Sequence, residues 1–387
     1  MRSRVGSLND LPTSGVAREA SRGASNSSLS KLPKMLRQFV DVRAARKVGS
    51  APSSLPLLSI ETTTDCNARC GMCGYPTDYP ASCAPMSTDE LKRLIDEAAT
   101  LGTLIISLGG GEPFMRKDTE QLIEHIDGHS ICSLVHSNGS LLTAKRCTRL
   151  AQNAHLVLAM SLDSPRRSDH DNLRGVACFD HVVAAASYFA RLATQVRTIL
   201  TCTITGQNYR DLMGVMRLAQ DIGVRTVRFT PIHHNLQHRF RNPADFAPFA
   251  LPEHALAELA EQLERVIAFA HQHGMMTNSR TFLRAIPSYF RGPVPHECYA
   301  GFFFCSVDPF GKLFPCYDHQ SELNVRGQGG LIAAFKSPEM DVLRQKVIHC
   351  QQRCWNIGTA EPSLRMDLNQ LPSHGMQMLR ESWLMLR

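Results

Sequence analysis

The chain has 387 residues, of which 43% are hydrophobic, and a formal net charge of +7 at neutral pH. No apolar run approaches the roughly 20 residues that cross a bilayer, and the N-terminus lacks the apolar core of a secretory signal, so we expect a soluble, cytoplasmic protein. No basic run is interleaved with exposed aromatic residues, and much of the basic excess lies in the first fifty positions, which argues against nucleic-acid binding.

Thirteen cysteines stand out in this otherwise ordinary globular composition. A reducing compartment keeps thiols free, so cysteines in a chain of this type indicate metal ligands rather than disulfides. Cysteines outside the two groups described below are most often small buried hydrophobic residues, and Cys132, Cys147 and Cys202 fall in strand or helix patterns that fit this interpretation. The cysteines outside the two groups are Cys83, Cys132, Cys147, Cys178, Cys202 and Cys305.

Residues 1–50 form an N-terminal extension. The first thirty are rich in Ser, Arg, Gly and Ala and are expected to be disordered. From Leu32 onward, Met35, Leu36, Phe39 and Val40 recur at helical spacing beside basic residues. We expect this helix to dock on the outside of the following domain; membrane-surface attachment and a transit peptide are the alternatives.

Six strand-like runs, mostly short, apolar and β-branched, alternate with helical segments in residues 51–250. Six βα units in sequence predict an α/β fold in which a parallel sheet is covered by helices, here a curved, partial (β/α)6 barrel of the TIM type. The predicted strands are Leu57–Glu61, Leu104–Leu108, Cys132–His136, Leu156–Ser161, Thr198–Thr203 and Thr226–Phe229.

The helical segments carry clear start and stop signals. Ser87 and Glu90 form a capping box at the first of them, and Gly102 ends it. A later, longer helix begins after Pro252 and ends at Gly274. We expect this second helix to lie in a connecting region, residues 251–290, between the barrel and a C-terminal domain.

Three cysteines, Cys66, Cys70 and Cys73, follow the first predicted strand with the spacing CxxxCxxC. Three thiolates on one loop can hold three irons of a cubane cluster and leave the fourth iron open to another ligand. A structural zinc site would need four closing ligands, and the nearest further cysteine, Cys83, lies ten residues away. The loop therefore favours an iron–sulfur cluster over zinc.

Glycine and polar residues follow the other predicted strands. In barrels of this kind the carboxyl ends of the strands carry the reactive groups, so these residues are site candidates. Glycines also serve ordinary turns, and Asn138, Ser161 and Asp163 could be turn or cap residues. The segments are Gly109–Pro113, Ser137–Gly139, Ser161–Ser164 and Pro231–His234.

Together, CxxxCxxC, the GGEP segment and an SLD…HDxxRG run resemble the radical S-adenosylmethionine (SAM) superfamily. The resemblance implies that the open iron of a 4Fe–4S cluster binds SAM, and that reductive cleavage yields a 5′-deoxyadenosyl radical that abstracts a hydrogen atom from substrate. Met72 stands where many members have an aromatic residue. The resemblance implies that SAM contacts Gly110, Gly111, Glu112, Pro113, Asn138, Ser161 and Arg174.

A second cysteine group lies in residues 291–358, around a predicted hairpin, before a C-terminal tail of residues 359–387. Cys298, Cys316, Cys350 and Cys354 could close a zinc site or a cubane cluster, and spacing alone does not decide. The pattern resembles the twitch or SPASM extension of radical SAM enzymes, which implies an auxiliary 4Fe–4S cluster. Cys305 is the substitute ligand should Cys350 not take part.

The expected function is that of an oxidoreductase-type radical SAM enzyme with a flavodoxin- or ferredoxin-type electron donor. A fully ligated auxiliary cluster can accept an electron, which favours an oxidative step on a small molecule of specialised metabolism. Peptide modification and a non-catalytic zinc or iron–sulfur module are the alternatives. No catalytic acid or base is identified: Tyr75, His233 and His234 are equally consistent with structural roles, and Glu61 faces either the barrel interior or a helix.

Overall fold

The computed structural model describes residues 27–73, 84–192, 196–233, 244, 247–319 and 321–367. Its centre is one eight-stranded sheet in the order β6-β5-β4-β3-β2-β1-β7-β8. Strands β1 to β7 pair in parallel, and β8 is antiparallel to β7. The strands are β1 (Leu57–Thr63), β2 (Ile105–Gly110), β3 (Cys132–Ser137), β4 (Leu156–Ser161), β5 (Arg197–Ile204), β6 (Val227–Pro231), β7 (Phe304–Val307) and β8 (Leu313–Phe314).

Helices cover the outer face of this sheet, which confirms the partial (β/α)6 barrel, and β1 to β6 coincide closely with the six predicted runs. The helices are α1 (Ser27–Val48), α2 (Thr88–Thr100), α3 (Thr119–Gly128), α4 (Ala144–Leu150), α5 (Arg167–Arg174), α6 (Phe179–Arg191), α7 (Leu212–Asp221), α8 (Ala255–Gln272), α9 (Arg280–Arg291), α10 (Gly330–Phe335), α11 (Pro338–Ile348) and α12 (Ala360–Arg365). None of them has the length and apolarity to cross a bilayer within the described ranges.

The predicted helix signals are observed at α2 and α8. Ser87 accepts a hydrogen bond from the backbone of Glu90, whose side chain accepts one from the backbone of Ser87, so the capping box is complete. Helix α8 lies within the predicted limits, and Gly274 follows it with a φ of +62°. Both helices bury one apolar face against the core.

The two faces of the barrel sheet differ in chemistry. Alternate β1 residues, such as Leu58 and Ile60, are completely buried in the core beneath the helices. Because successive side chains point to opposite faces, the intervening positions line the concave interior. The register places Glu61 beside Gly109 and His136 beside Ala159 on this interior face. Toward the carboxyl ends of the strands the lumen is therefore lined by small and polar side chains.

The predicted hairpin forms, and it joins the barrel sheet. Its first strand, β7, pairs in parallel with β1, with Ser306 opposite Ser59. The second cysteine group is thus attached to the same sheet as the first, along the free side of β1. This placement brings the hairpin and the residues after it to the mouth of the lumen.

Helix α1 docks as expected but presents a different face. The buried residues are Gln38, Val42 and Ala45, whereas Leu36 and Val40 are 59% and 66% exposed. Polar contacts set this orientation, because Gln38 donates a hydrogen bond of 2.8 Å to the carbonyl of Gly102. Residues 27–30, placed in the disordered segment by the sequence analysis, already belong to the helix, and residues 1–26 lie outside the described ranges.

Candidate functional site

The loop that follows β1 presents Cys66, Cys70 and Cys73, all partly exposed and none in a disulfide. The amide of Cys73 donates a hydrogen bond of 3.1 Å to the carbonyl of Cys70, which tightens the turn. Burial, followed by the charges of Cys70 and Glu112, raises the pKa of the Cys66 thiol. A bound cation stabilises a thiolate that lies beside other negative groups, so three partly exposed thiols on one loop fit a cluster with one free iron.

A side-chain network fixes the position of Cys66. Asn138 donates to the side-chain oxygen of Asn67 at 2.9 Å, and Asn67 donates to Ser140 at 2.7 Å. Ser140 in turn donates to the side-chain oxygen of Asn138 at 2.6 Å. The nitrogen Nδ2 of Asn138 lies 4.0 Å from the sulfur of Cys66. Asn138 therefore holds the loop, and the sequence analysis overlooked its two partners because their side chains meet only in the fold.

Glu112 is 1% exposed and is held by the end of β3. Its carboxylate accepts hydrogen bonds from the amide of Asn138 at 2.7 Å, from the hydroxyl of Ser137 at 2.9 Å and from the amide of Phe114 at 3.2 Å. Burial raises the pKa of Glu112, and these hydrogen bonds oppose the rise. In the described chain this carboxylate therefore joins the end of β2 to the end of β3.

The three successive glycines at the end of β2 have different surroundings. A Cβ atom on Gly111 would lie 2.1 Å from the carbonyl oxygen of Asp65, and one on Gly110, whose φ is +101°, would lie 2.5 Å from the carbonyl oxygen of Thr63. A Cβ atom on Gly109 would meet nothing within 4 Å. Gly110 and Gly111 thus allow the backbone to approach the start of the cysteine loop, while Gly109 borders open space in the lumen.

A buried ion pair anchors the other side of the cysteine loop. Arg174 donates from Nε to Asp163 at 2.5 Å, and Asp163 is completely buried. The carbonyl of Arg174 accepts a hydrogen bond of 3.0 Å from the amide of Arg69 in the loop. A Cβ atom on Gly175 would lie 2.6 Å from the carbonyl oxygen of Arg69, so only glycine fits. Burial lowers the pKa of Arg174, but the charges of Asp163 and Cys70 outweigh burial, so the pKa is raised above its usual value.

His170 completes this anchor. The amide of Asp163 donates to Nδ1 of His170 at 3.1 Å, so the ring proton lies on Nε2, which is 3.3 Å from the sulfur of Cys178. Burial lowers the pKa of His170 to about 4, and the ring is neutral at neutral pH.

Ser161 lies at the end of β4 opposite Thr201 and on the face that lines the lumen.

Glu61, Tyr317 and His136 are titratable groups of the described chain that lie in or beside the lumen. Glu61 lies on the interior face, which settles the orientation that its sequence left open. Burial, and then the charge of Glu61, raises the pKa of Tyr317 to about 12, and the Tyr317 hydroxyl lies 3.4 Å from that of Ser59. His136 is accessible to solvent, yet desolvation by the surrounding barrel lowers its pKa to about 4. His136 was not predicted as a site residue, although its position in the alternation of β3 marks it as interior.

Apolar residues cover the outer side of the cysteine loop. Met72 is 5% exposed and packs with Ile232, which follows β6, and with Phe249. A Cβ atom on Gly71 would lie 2.7 Å from the Phe249 ring. Met72 therefore fills the position where an aromatic residue is common in the proteins that the motif resembles.

The second cysteine group is assembled from separated segments. Burial raises the pKa values of Cys298, Cys316 and Cys354. The charge of Cys298 raises the pKa values of Cys316 and Cys354 further, and Cys316 packs against Cys298, so the three thiols lie close together. Cys350 is exposed and its charge also raises the pKa of Cys298. Cys305 is completely buried in β7, and the charge that affects it comes from Arg344 instead of another thiol.

Several neighbours hold this second group. Arg46 of α1 donates to the carbonyl of Cys298 at 2.7 Å, and the hydroxyl of Thr359 lies 3.2 Å from the sulfur of Cys354. His233, which is 4% exposed at the end of β6, lies with Asp318 and Cys354 so that their ligand atoms are within 4.8 Å of one another. The other residues considered from the sequence, Tyr75, Cys83 and His234, lie outside the described residues.

Comparison with known proteins finds similar sequences and structures. The family model described as the Radical SAM superfamily matches residues 60–219. The AdoMet-dependent heme synthase of Methanosarcina barkeri is 25% identical over 288 residues, which cover 67% of this chain and 76% of that protein. The mycofactocin maturase MftC of Mycobacterium tuberculosis is 27% identical over 293 residues, 73% of this chain and 71% of that protein.

Solved structures show the same fold. The crystal structure of Streptococcus suis SuiB bound to S-adenosylmethionine superposes with a TM-score of 0.62 at 17% identity, over 82% of this chain and 73% of that one. The structure of native anSMEcpe with bound AdoMet superposes with a TM-score of 0.60 at 15% identity, over 84% of this chain and 99% of that one.

Proposed function

Because residues 60–219 belong to the radical SAM superfamily, we propose that the chain cleaves SAM reductively and uses the resulting radical to take a hydrogen atom from a substrate in the barrel lumen. The observation that carries this proposal is the loop of Cys66, Cys70 and Cys73. Its three partly exposed thiols are clamped from β2, β3 and α5 beside a lumen of small and polar side chains.

The cluster and SAM would supply the electron transfer and the radical, and the protein supplies position and exclusion of water. Cys66, Cys70 and Cys73 are the proposed iron ligands. Arg174 is the proposed partner of the SAM carboxylate, because it lies close enough to Cys70 for the charge of that thiol to raise its pKa, and it bonds Asp163 through Nε. Its terminal nitrogens match a carboxylate in geometry.

The remaining proposed SAM contacts come from the segments that resemble the family motifs. Ser161 lies on the lumen face at the end of β4. The side chains of Glu112 and Asn138 are engaged with the protein, so we assign them to shaping the SAM pocket, with Gly109 as the glycine that borders open space. The proposed set is Gly110, Gly111, Glu112, Pro113, Asn138, Ser161 and Arg174.

We assign the substrate to the lumen and a proton-accepting role to Glu61. Removal of a hydrogen atom leaves a substrate carbon radical, which reaches a closed-shell oxidised product by losing one proton and one electron. Glu61 is the carboxylate that faces the lumen beside Gly109, and it takes the proton. Tyr317, with a pKa of about 12, and neutral His136 act as hydrogen-bonding groups toward the substrate.

The electron is assigned to an auxiliary cluster bound by Cys298, Cys316, Cys350 and Cys354. The pKa effects that these thiols exert on one another support the assignment, and the burial of Cys305 within β7 argues against its taking the place of Cys350. Tyr317 directly follows Cys316, and its hydroxyl lies 3.4 Å from that of Ser59, which supports a position for this group at the edge of the lumen. A flavodoxin- or ferredoxin-type protein is the proposed source of electrons for SAM cleavage.

A small molecule remains the proposed substrate, with an oxidative step as the outcome. One similar protein is named as a heme synthase. Peptide modification is the second candidate, because other similar proteins are named as a mycofactocin maturase and, in Bradyrhizobium diazoefficiens, as a PqqA peptide cyclase. A short precursor-peptide gene beside the gene of this chain would favour the second candidate.

The experiment is a SAM-cleavage assay on anaerobically reconstituted protein with dithionite as reductant. We expect 5′-deoxyadenosine from the wild type and none from Cys70→Ala. Cys147→Ala, which changes a buried thiol in α4, is the matched control and should retain activity. Equal deoxyadenosine formation by Cys70→Ala and the wild type would refute the assignment of the loop.

A further inference from the structure

Two histidines and one aspartate meet on the outer surface of the barrel, away from both cysteine groups. Asp96 lies near the end of α2, His125 lies in the last turn of α3, and His129 caps the C-terminus of α3. Nε2 of His125 and Nε2 of His129 lie 2.7 and 2.8 Å from the same carboxylate oxygen of Asp96. The three ligand atoms are all within 4.8 Å of one another.

The helices fix this arrangement. His125 and His129 are four residues apart, so their side chains share one face of the helix. The buried residues Leu94 and Ile126 belong to the core that holds α2 and α3 together. Helices of βα units run antiparallel to the strands, so the C-terminal ends of α2 and α3 lie at the edge of the sheet opposite the cysteine loop.

We propose that Asp96, His125 and His129 bind a divalent transition-metal ion such as Zn²⁺. Two imidazole nitrogens and one carboxylate oxygen are a ligand set that Zn²⁺, Co²⁺ and Fe²⁺ accept. Tetrahedral coordination at about 2.1 Å requires ligand atoms about 3.3 Å apart, so the two nitrogen–oxygen gaps have to open by about 0.5 Å. The side chains are partly exposed, which permits this adjustment and leaves room for water as a further ligand.

The electrostatics agree with this site. Burial alone would raise the pKa of Asp96, but hydrogen bonds from His129 and His125 outweigh it and lower the pKa, so the carboxylate is ionised at neutral pH. Both imidazoles bond the same oxygen of this carboxylate. A bound metal ion would join α2 to α3 and stabilise the folded barrel by mass action, without contact with the reacting groups.

The test measures zinc per chain after equilibrium dialysis of untagged, cluster-loaded protein against Zn²⁺. The double variant His125→Gln/His129→Gln keeps amide donors that can bond Asp96 but removes both imidazole ligands. His155→Gln is the matched control, because His155 bonds to Asp127 at 3.0 Å without a second histidine. Both variants retain all cluster cysteines, so zinc bound there contributes equally to each measurement.

We expect the wild type and His155→Gln to bind one more zinc per chain than the double variant. Zn²⁺ should also raise their thermal midpoints and leave that of the double variant unchanged. The single variant His129→Gln should weaken zinc binding by more than about tenfold. Equal zinc contents in the wild type and the double variant would overturn the proposal and leave a hydrogen-bonded triad only.

Discussion

The two cysteine groups of this chain are built in opposite ways. Cys66, Cys70 and Cys73 occupy one short loop, and neighbouring strands hold that loop by backbone and side-chain contacts. Cys298 and Cys316 flank a hairpin, while the other members follow α11. A contiguous loop can leave one side open for a substrate-like ligand, whereas ligands from separated segments enclose an ion. We therefore expect the first group to suit chemistry and the second to suit electron storage.

The most direct way to break this comparison is to remove one ligand of the second group. Cys316→Ala should abolish substrate turnover while sparing part of the SAM cleavage, because the first loop remains intact. Cys305→Ala, a buried cysteine of the same hairpin, should retain both activities. Product analysis with deoxyadenosine quantification checks this. Full substrate turnover by Cys316→Ala would show that the second group has no role in the reaction.

The first loop can be disturbed without touching a thiol. Gly111→Ala places a methyl group 2.1 Å from the carbonyl oxygen of Asp65, so we expect a loss of about 3 kcal/mol in stability and of loop iron. Gly109→Ala has open space and should change the free energy of unfolding by less than about 0.5 kcal/mol. Denaturant unfolding and iron content measure both effects. Similar losses in both variants would contradict the close-approach argument.

The anchor beside the first loop predicts a pH effect. Burial lowers the pKa of His170 from 6.5 to about 4, so His170 is neutral in the folded chain and protonation favours unfolding. Its contribution is fully present above pH 6.5 and is lost as the pH falls toward 4, by up to roughly 3 kcal/mol. The wild type should therefore lose more stability than His170→Gln between pH 6.5 and 4. Parallel pH profiles of unfolding free energy for the wild type and His170→Gln would contradict the proposed contribution of neutral His170.

The smallest expected effect concerns the support of the second group. Arg46→Met keeps an apolar stem over the Tyr299 ring but removes the hydrogen bond to the Cys298 carbonyl. We expect a loss of about 1 kcal/mol and faster removal of auxiliary iron by a chelator, with SAM cleavage unchanged. Arg37→Met, an exposed residue of the same helix, is the control. Identical chelation rates in the two variants would show that the hydrogen bond from Arg46 to Cys298 does not help to retain auxiliary iron.

Local sequence patterns predicted the strands of the barrel. The features that they did not predict depend on contacts between residues far apart in the chain. Each of β1 to β6 is a short apolar run with its own turn signals, and CxxxCxxC is contiguous, so both are readable from neighbouring residues. The pairing of β7 with β1 joins residues far apart in the chain, and no local signal specifies it. The face of α1 was likewise set by Gln38 and Arg46, whose partners lie in other segments.

The candidate site shows the same division. The motif residues from Gly110 to Arg174 were found in sequence, but the contacts that occupy Glu112 and Asn138 depend on the fold. His136 was overlooked because a single histidine in a strand carries no signal until its register places it in the lumen. A comparison of the inward-facing positions of all six predicted strands would have identified His136 as a lumen residue.

The measurement that tests the central claim most directly is the iron and sulfide content of anaerobically reconstituted protein, with its absorption spectrum and SAM-cleavage activity. Two cubane sites with different roles predict about eight irons in the wild type and about four in Cys316→Ala, with deoxyadenosine formed by both. About four irons in an active wild type would remove the auxiliary cluster and reopen redox-neutral chemistry. Zinc without SAM cleavage would contradict the account as a whole.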